Sequence, residues 1–427
     1  MAVLEQIKTT CCIVGGGPAG MMAGFLLARA GVEVVVLEKH ADFLRDFRGD
    51  TIHPSTLELM HELGLLDGLL KCPHTTVREL HAVIGEKEVP VADFSHVPTH
   101  CKFVALMPQW DFLNFLVEQA AQFPAFNLRM EGEVVDLIRD YNNRVTGVRA
   151  RTPKGDLEVR ADLTIGADGR SSVVREKAGL EVIDLGAPMD VLWMRLPRYD
   201  GDPPQSLGRV NTGALLIMLD RGDYWQCGFV IRKGGFDDIE AKGMAAFQER
   251  IAAFAPVFRD RVHLLDDWDK IKLLTVRVDH LRRWYCPGLL CIGDAAHAMS
   301  PIGGVGINLA IQDAVAAANI LTQPFRKKAV DENVLRSVQQ RREWPARMTQ
   351  RIQLFIQNRV IKRVLNSDKP VKVPKILRLF RILPFLRRVP GRLVGIGFRP
   401  EHINRTFADA RWAGKQPNPP DYLKRAA

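Results

Sequence analysis

The chain has 427 residues, 47% of them hydrophobic and 25% charged, so it folds around true cores, and two or three domains are expected. Its net charge is +10 and its seven cysteines show no CxxC spacing, which excludes a disulfide framework and a zinc ribbon and gives no reason to expect a metal. No run of 18 apolar residues and no basic-then-apolar leader is visible, so neither a simple spanning helix nor a secretory signal is expected, and a reducing cytoplasm fits best.

Residues 9–14, TTCCIV, are β-branched and apolar, as a buried strand should be. Gly15-Gly16-Gly17-Pro18-Ala19-Gly20 follows, a G-x-G-x-x-G, and then an apolar helix to about Ala30. A second strand, Val32–Leu37, ends in Glu38 and Lys39. Gly15 permits a tight turn, Gly17 lets backbone amides approach a pyrophosphate, and Gly20 permits close helix–strand packing. The helix N-terminus presents unpaired N–H groups to the phosphates, with Ala19 in its first turn. Glu38 stands where a carboxylate accepts both ribose hydroxyls of an adenosine, which fits NAD or FAD better than NADP. Next comes Arg48-Gly49-Asp50-Thr51-Ile52-His53, leading into a helix over Pro54–Leu65.

This N-terminal unit resembles the single-component FAD aromatic hydroxylases of the p-hydroxybenzoate hydroxylase and phenol hydroxylase type. The resemblance implies that Arg48 contacts the FAD pyrophosphate. It also implies that Asp50 stands where phenol hydroxylases carry an acid hydrogen-bonded to the substrate hydroxyl, so Asp50 is the first catalytic candidate. His53 is the second, with a capping or packing histidine as the other reading. Gln109, before the helix that starts at Trp110, resembles the family residue touching the ribityl chain, and Val134 the strand residue near the adenine.

Two further motifs strengthen the resemblance. Asp162–Arg175 contains Ala167-Asp168-Gly169 and a serine-capped helix start. It looks like the family's DG motif, which implies that Asp168 lies near the FAD pyrophosphate and the path of the reduced nicotinamide. Leu289–Asn308 runs Gly293-Asp294-Ala295-Ala296-His297, then Pro301, Gly304, Val305, Gly306, Ile307 and Asn308. It looks like the GD motif, which implies that Asp294 binds a ribityl hydroxyl and that the loop packs against the flavin ring. A helix from Asn308 to about Leu321 then points its positive end at the loop. His297 reads as structural.

No second G-x-G-x-x-G exists, so any nicotinamide must bind without a domain of its own. Segments 73–105 and 185–278 alternate like antiparallel strands, with Asp220–Asp223 as a hairpin turn. By the resemblance this sheet roofs the flavin, with Met218, Trp225 and Cys227 as substrate-contact candidates and core packing as the alternative. Gln339–Ile361 reads as a long helix interrupted at Pro345. Between Lys369 and Arg399 nine basic residues and no acid account for nine of the ten net charges, so a nucleic-acid-binding face is not expected. Apolar residues lie between those arginines, and the segment either meets anionic lipid at the inner face of a membrane or packs on the FAD domain with its basic face in water.

The expected fold is α/β: a Rossmann-like FAD domain (1–72, 106–184 and 279–360), an inserted antiparallel substrate sheet (73–105 and 185–278), and a basic helical segment over 361–427. The expected function, implied by the resemblance, is monooxygenation of an aromatic or polyketide-like small molecule. It uses noncovalent FAD, NADH or NADPH, and O2 through a flavin C4a-hydroperoxide. An epoxidase, a prenyl-chain reductase and a non-catalytic FAD sensor are the alternatives, and the oligomeric state is open.

Overall fold

The structure, a computed structural model, describes residues 5–44, 51–203, 207–367, 371 and 373–404. The Glu5–Val14 strand lies inside an eight-stranded sheet, parallel to Gly155–Gly166 on one side and Val34–Leu37 on the other. Leu289–Cys291 and Phe126–Arg129 extend it in parallel, while Glu133–Arg139 and Val145–Thr152 add antiparallel strands. Cys11, Cys12 and Ile13 are fully buried, as expected of a parallel strand covered on both faces. Burial pushes the Cys12 thiol up to about 12, so these thiols behave as small hydrophobes.

The Pro18–Arg29 helix sits close on this sheet because Gly24 carries no side chain; a Cβ there would lie 2.8 Å from a Val36 methyl. The Gly306–Arg326 helix packs beside it. Among the described residues, Ile302–Arg326 is the one helical stretch long and apolar enough to cross a bilayer, but 61% of its apolar window is buried inside the protein.

A second sheet of seven strands joins the two segments that the alternation marked. Its order runs Lys272–Leu274, Met189–Pro197, Tyr224–Arg232, Ala214–Asp220, Leu207–Asn211, Glu79–Ile84, Lys87–Asp93. Arg221 N–H donates to the Tyr224 carbonyl and closes the expected hairpin. The helix Met244–Phe254 and the turns after it cover one face, where Phe229, Phe247, Ile251 and Phe258 are buried.

The Glu332–Ile356 helix runs through Pro345 without a break, contrary to the interruption expected at that proline. Arg342, Ala346, Gln350 and Gln353 are buried around the proline, and their packing outweighs one missing backbone hydrogen bond. Pro384 does separate the helix Lys375–Ile382 from the next turn, while Pro390 sits in the first turn of Arg388–Gly395, where proline is tolerated.

Candidate active site

The glycine-rich turn, the DG turn and the GD turn, far apart in sequence, meet at the C-terminal ends of adjacent strands. Ala167 N–H donates to the Val14 carbonyl, and a Cβ at Gly15 would lie 2.4 Å from the Ala167 oxygen, so Gly15 (φ +104°) admits no side chain. A Cβ at Gly20 would lie 1.9 Å from the Gly15 oxygen. Gly293 approaches Ala19 in the first turn of the Pro18–Arg29 helix, a Cβ there lying 3.0 Å from the Ala19 methyl. Arg170 pairs with Asp294 at 3.3 Å, linking the DG and GD turns. Behind them the buried Arg175 binds Asp279 through both terminal nitrogens (3.1 and 3.3 Å) and reaches the Arg170 and Ala295 carbonyls.

Glu38 ends its strand as expected. Its carboxylate accepts from Gly16 N–H at 2.8 Å and His40 N–H at 3.1 Å. Gly132 N–H donates to the Glu38 carbonyl, which brings the strand bearing buried Val134 beside it, and Lys39 is exposed next to it. Asp168 accepts from Val174 N–H at 3.1 Å, while its other oxygen is buried with no partner. Burial pushes the Asp168 carboxyl up, against hydrogen bonds from Ser172 and Val174. Gln109 is half-buried at the start of its helix.

In the loop after the GD turn, Gly303 and Gly304 both have positive φ (+78° and +63°). A Cβ at Gly304 would lie 2.4 Å from Thr51 Oγ1, which donates to the Gly304 carbonyl. The half-buried Pro301, Val305, Gly306 and Ile307 complete the loop and lead into the Gly306–Arg326 helix, which has no side-chain cap.

Three expectations change, and one falls outside the described residues. The Asn308 side chain is not free to hold a cofactor. It accepts from His53 N–H (2.9 Å) and Thr56 Oγ1 (2.7 Å) and donates to the Thr51 carbonyl (3.1 Å), tying its helix to the 51–56 segment. His53 is 1% exposed and donates from Nδ1 to the Val394 carbonyl at 2.7 Å; burial lowers its pKa to about 4, so it is a neutral tether. Met218, Trp225 and Cys227 point to the helix-covered face of the roof, in the cluster with Phe247 and Phe258. The strand alternation therefore sends their neighbours to the opposite face of the sheet: Trp193, Arg195, Leu215, Ile217 and Gln226. Arg48 and Asp50 lie outside the described residues.

Sequence reasoning missed the layer that holds the GD segment in place. Three buried glutamines on the Glu332–Ile356 helix and the turn after it bind its backbone. Gln350 donates to the Asp279 and Ala298 carbonyls. Gln353 donates to the Ser300 and Ile302 carbonyls and accepts from Ser300 N–H, and Gln357 donates to Ser300 Oγ. The expected structural role of His297 holds: Nε2 lies 2.5 Å from Asp313, whose carboxylate also accepts from Gly293 N–H and from buried Arg342. The spacing of 350, 353 and 357 was a readable one-face signal; the partners were not readable.

The residues fit FAD. A Cβ at Gly17 would meet nothing within 4 Å, so that backbone borders open space, and the Pro18–Arg29 helix has no side-chain cap. One buried Asp168 oxygen lacks a partner, and the Glu38 carboxylate ends the second strand beside the glycine-rich turn, where a ribose acceptor is required. An uncapped helix start between glycine turns is an anion cradle.

Comparison with known proteins agrees. Residues 8–352 match the FAD binding domain family, so the chain belongs to that family. It is a FAD-dependent monooxygenase of the single-component aromatic hydroxylase class. It is similar to the 6-methylpretetramide 4-monooxygenase of Streptomyces rimosus, 32% identical over 401 residues, covering 91% of this chain and 93% of that one. It is 25% identical to the para-nitrophenol 4-monooxygenase of Pseudomonas sp. (strain WBC-3), covering 74% and 78%. The crystal structure of p-nitrophenol 4-monooxygenase from Pseudomonas putida shares the fold, with TM-score 0.69 and 21% identity over 90% of this chain and 98% of that one.

Proposed function

We propose that this enzyme hydroxylates an electron-rich aromatic ring of the phenol or aromatic-polyketide type, using NADH or NADPH and O2. The observation that carries the reading is that the loop after the GD turn meets the face of the seven-stranded sheet opposite its helical cover. Ile302 of that loop packs on the same apolar cluster as Trp193 and Leu215 of the roof. Hydride acceptance and O2 activation are the chemistry that bound FAD supplies there.

The chain's own residues bind, orient and exclude water. Gly15, Gly17, Glu38, Asp168 and Asp294 would hold the cofactor's ribose, pyrophosphate and ribityl parts. Trp193 offers a flat apolar surface; its ring lies over Gly228, where a Cβ would come within 3.0 Å of it. Arg195 lies over the Tyr224 ring at 5.1 Å and the Trp110 ring at 5.9 Å, next to Gln109, and is a cation at the cleft edge. A cation there favours the ionised form of a phenol or enol, which makes the ring more electron-rich. Similarity to the 6-methylpretetramide enzyme over nearly the full length of both chains favours a fused polycyclic substrate. The DG turn is proposed as the nicotinamide-access side, and Asp50 as the group that orients the substrate hydroxyl.

The test is oxidation of NADH or NADPH by the flavin-loaded enzyme over a panel of phenols and aromatic polyketides, with labelled O2. Stimulated oxidation with label in the product is expected. Stimulation without label would indicate a reductase, and a ligand that binds without any stimulation would indicate a sensor. Asp50→Asn should keep FAD and NAD(P)H oxidation while product falls and hydrogen peroxide rises.

A further inference from the structure

The basic C-terminal segment is bound to the protein on one side and bare on the other. Gly391 fits against the Asp93 backbone, where a Cβ would lie 1.9 Å from the Asp93 oxygen, and Gly395 fits against Phe94 and Pro54. The Val394 carbonyl accepts from His53. The helix Arg388–Gly395 therefore closes the edge of the roof beside the cofactor loop.

The outer side carries large apolar side chains in water. Ile382 is 74% exposed, Val389 67% and Phe385 56%, with Leu379 and Leu383 also exposed. Exposed Arg381, Arg388 and Arg392 stand among them, and no acid occurs from residue 369 to 399. Isolated apolar residues on a surface are ordinary, but five within eleven residues, interleaved with cations only, are not. A second copy of this chain would bring two like-charged faces together, which is unfavourable. An acidic protein would satisfy the arginines and leave no reason for the aliphatic knobs. An anionic bilayer satisfies both: the apolar side chains enter the acyl boundary while the arginines stay among the phosphates.

We propose that residues 379–392 are a docking face for an anionic phospholipid surface, which places the edge of the active-site cleft at the lipid boundary. The inference is independent of which ring the enzyme hydroxylates.

The test is flotation of the full-length, FAD-loaded protein with vesicles of phosphatidylcholine alone or mixed with phosphatidylglycerol. Flotation with the mixed vesicles, weakened by salt, is expected. The double substitution Arg381→Gln, Arg388→Gln should weaken that binding by about fivefold per arginine. Ile382→Ser with Phe385→Ser should weaken it by at least about tenfold. Both variants should keep wild-type flavin content, since the altered side chains are exposed. Failure of the wild type to float with mixed vesicles overturns the proposal, as does flotation unaffected by either variant. A concentration-dependent dimer abolished by the serine substitutions, without vesicle binding, would assign the face to self-association instead.

Discussion

The Glu38 carboxylate accepts the Gly16 and His40 amides, so it shapes the glycine-rich turn, and we propose that it also accepts the ribose hydroxyls of FAD. Glu38→Ala removes a charged acceptor, and FAD affinity should fall about 10- to 150-fold, from a loss of roughly 1.5–3 kcal/mol. Fluorescence titration of the apoprotein checks this; an unchanged dissociation constant would remove Glu38 from the site. His53 gives a pH signature. Its ordinary pKa is 6.5, and burial lowers it to about 4 in the folded protein, although the bond to Val394 opposes the shift. The unfolded chain therefore takes up a proton that the folded one refuses. The neutral tether contributes its full stabilisation above pH 6.5, and about 3 kcal/mol is lost as pH falls from 6.5 to 4. Thermal unfolding across that range should show the loss in the wild type and a flatter profile in His53→Gln, and identical slopes would exclude His53 as the source.

At the scale of elements, the Glu332–Ile356 helix works as a clamp on a segment with little regular structure. Residues 296–305 make few ladder bonds of their own, so their backbone groups need other partners. Gln350, Gln353 and Gln357 supply them from one helix face. Gln353→Leu keeps the volume but strands the Ser300 amide and the Ser300 and Ile302 carbonyls in a buried place. We expect a stability loss of about 2–4 kcal/mol and weaker FAD binding, because the clamp orders the loop proposed to pack against the flavin. Urea unfolding with and without FAD measures both. A full loss of stability with unchanged FAD affinity would show that the clamp serves folding alone. The stripe was legible as a helix face, but its purpose was not, because periodicity shows which side is buried and not what it touches.

Across the whole molecule, one buried charge network joins three regions. Asp313 on the Gly306–Arg326 helix holds Gly293 N–H and His297 of the GD turn. It also accepts from Arg342, which reaches Glu401 near the end of the described chain. Burial acts to raise the Asp313 carboxyl, but His297 and Arg342 prevail and hold it below the usual range. Asp313→Asn leaves Arg342 with Glu401 as its remaining carboxylate and takes the charged acceptor from His297 and Gly293 N–H, and a loss of about 1.5–3 kcal/mol is expected, with weaker FAD binding through the displaced GD turn. Because the folded pKa of Asp313 is depressed, its stabilisation is present above the ordinary carboxylate pKa and is lost as pH falls through the folded value. Acid unfolding of wild type and variant checks the sign: their stabilities should converge at low pH.

The sequence alone determined the parallel-sheet core, the three cofactor turns and the two-part roof. Each is a local pattern with a local cause: glycines where backbones touch, a strand ending in an acid, alternation with a hairpin turn. The tertiary structure decided what alternation leaves open. It turned Met218, Trp225 and Cys227 toward the helical layer and Trp193 and Arg195 to the opposite face, because a strand's two faces are equivalent until something packs on one. It made His53 and Asn308 ties between segments more than 250 residues apart. It also folded the basic C-terminal segment back on Asp93 and His53 while leaving its apolar side bare. Composition carried no trace of that division, since which side of an amphipathic segment is covered depends on the surface it meets and not on its own order of residues.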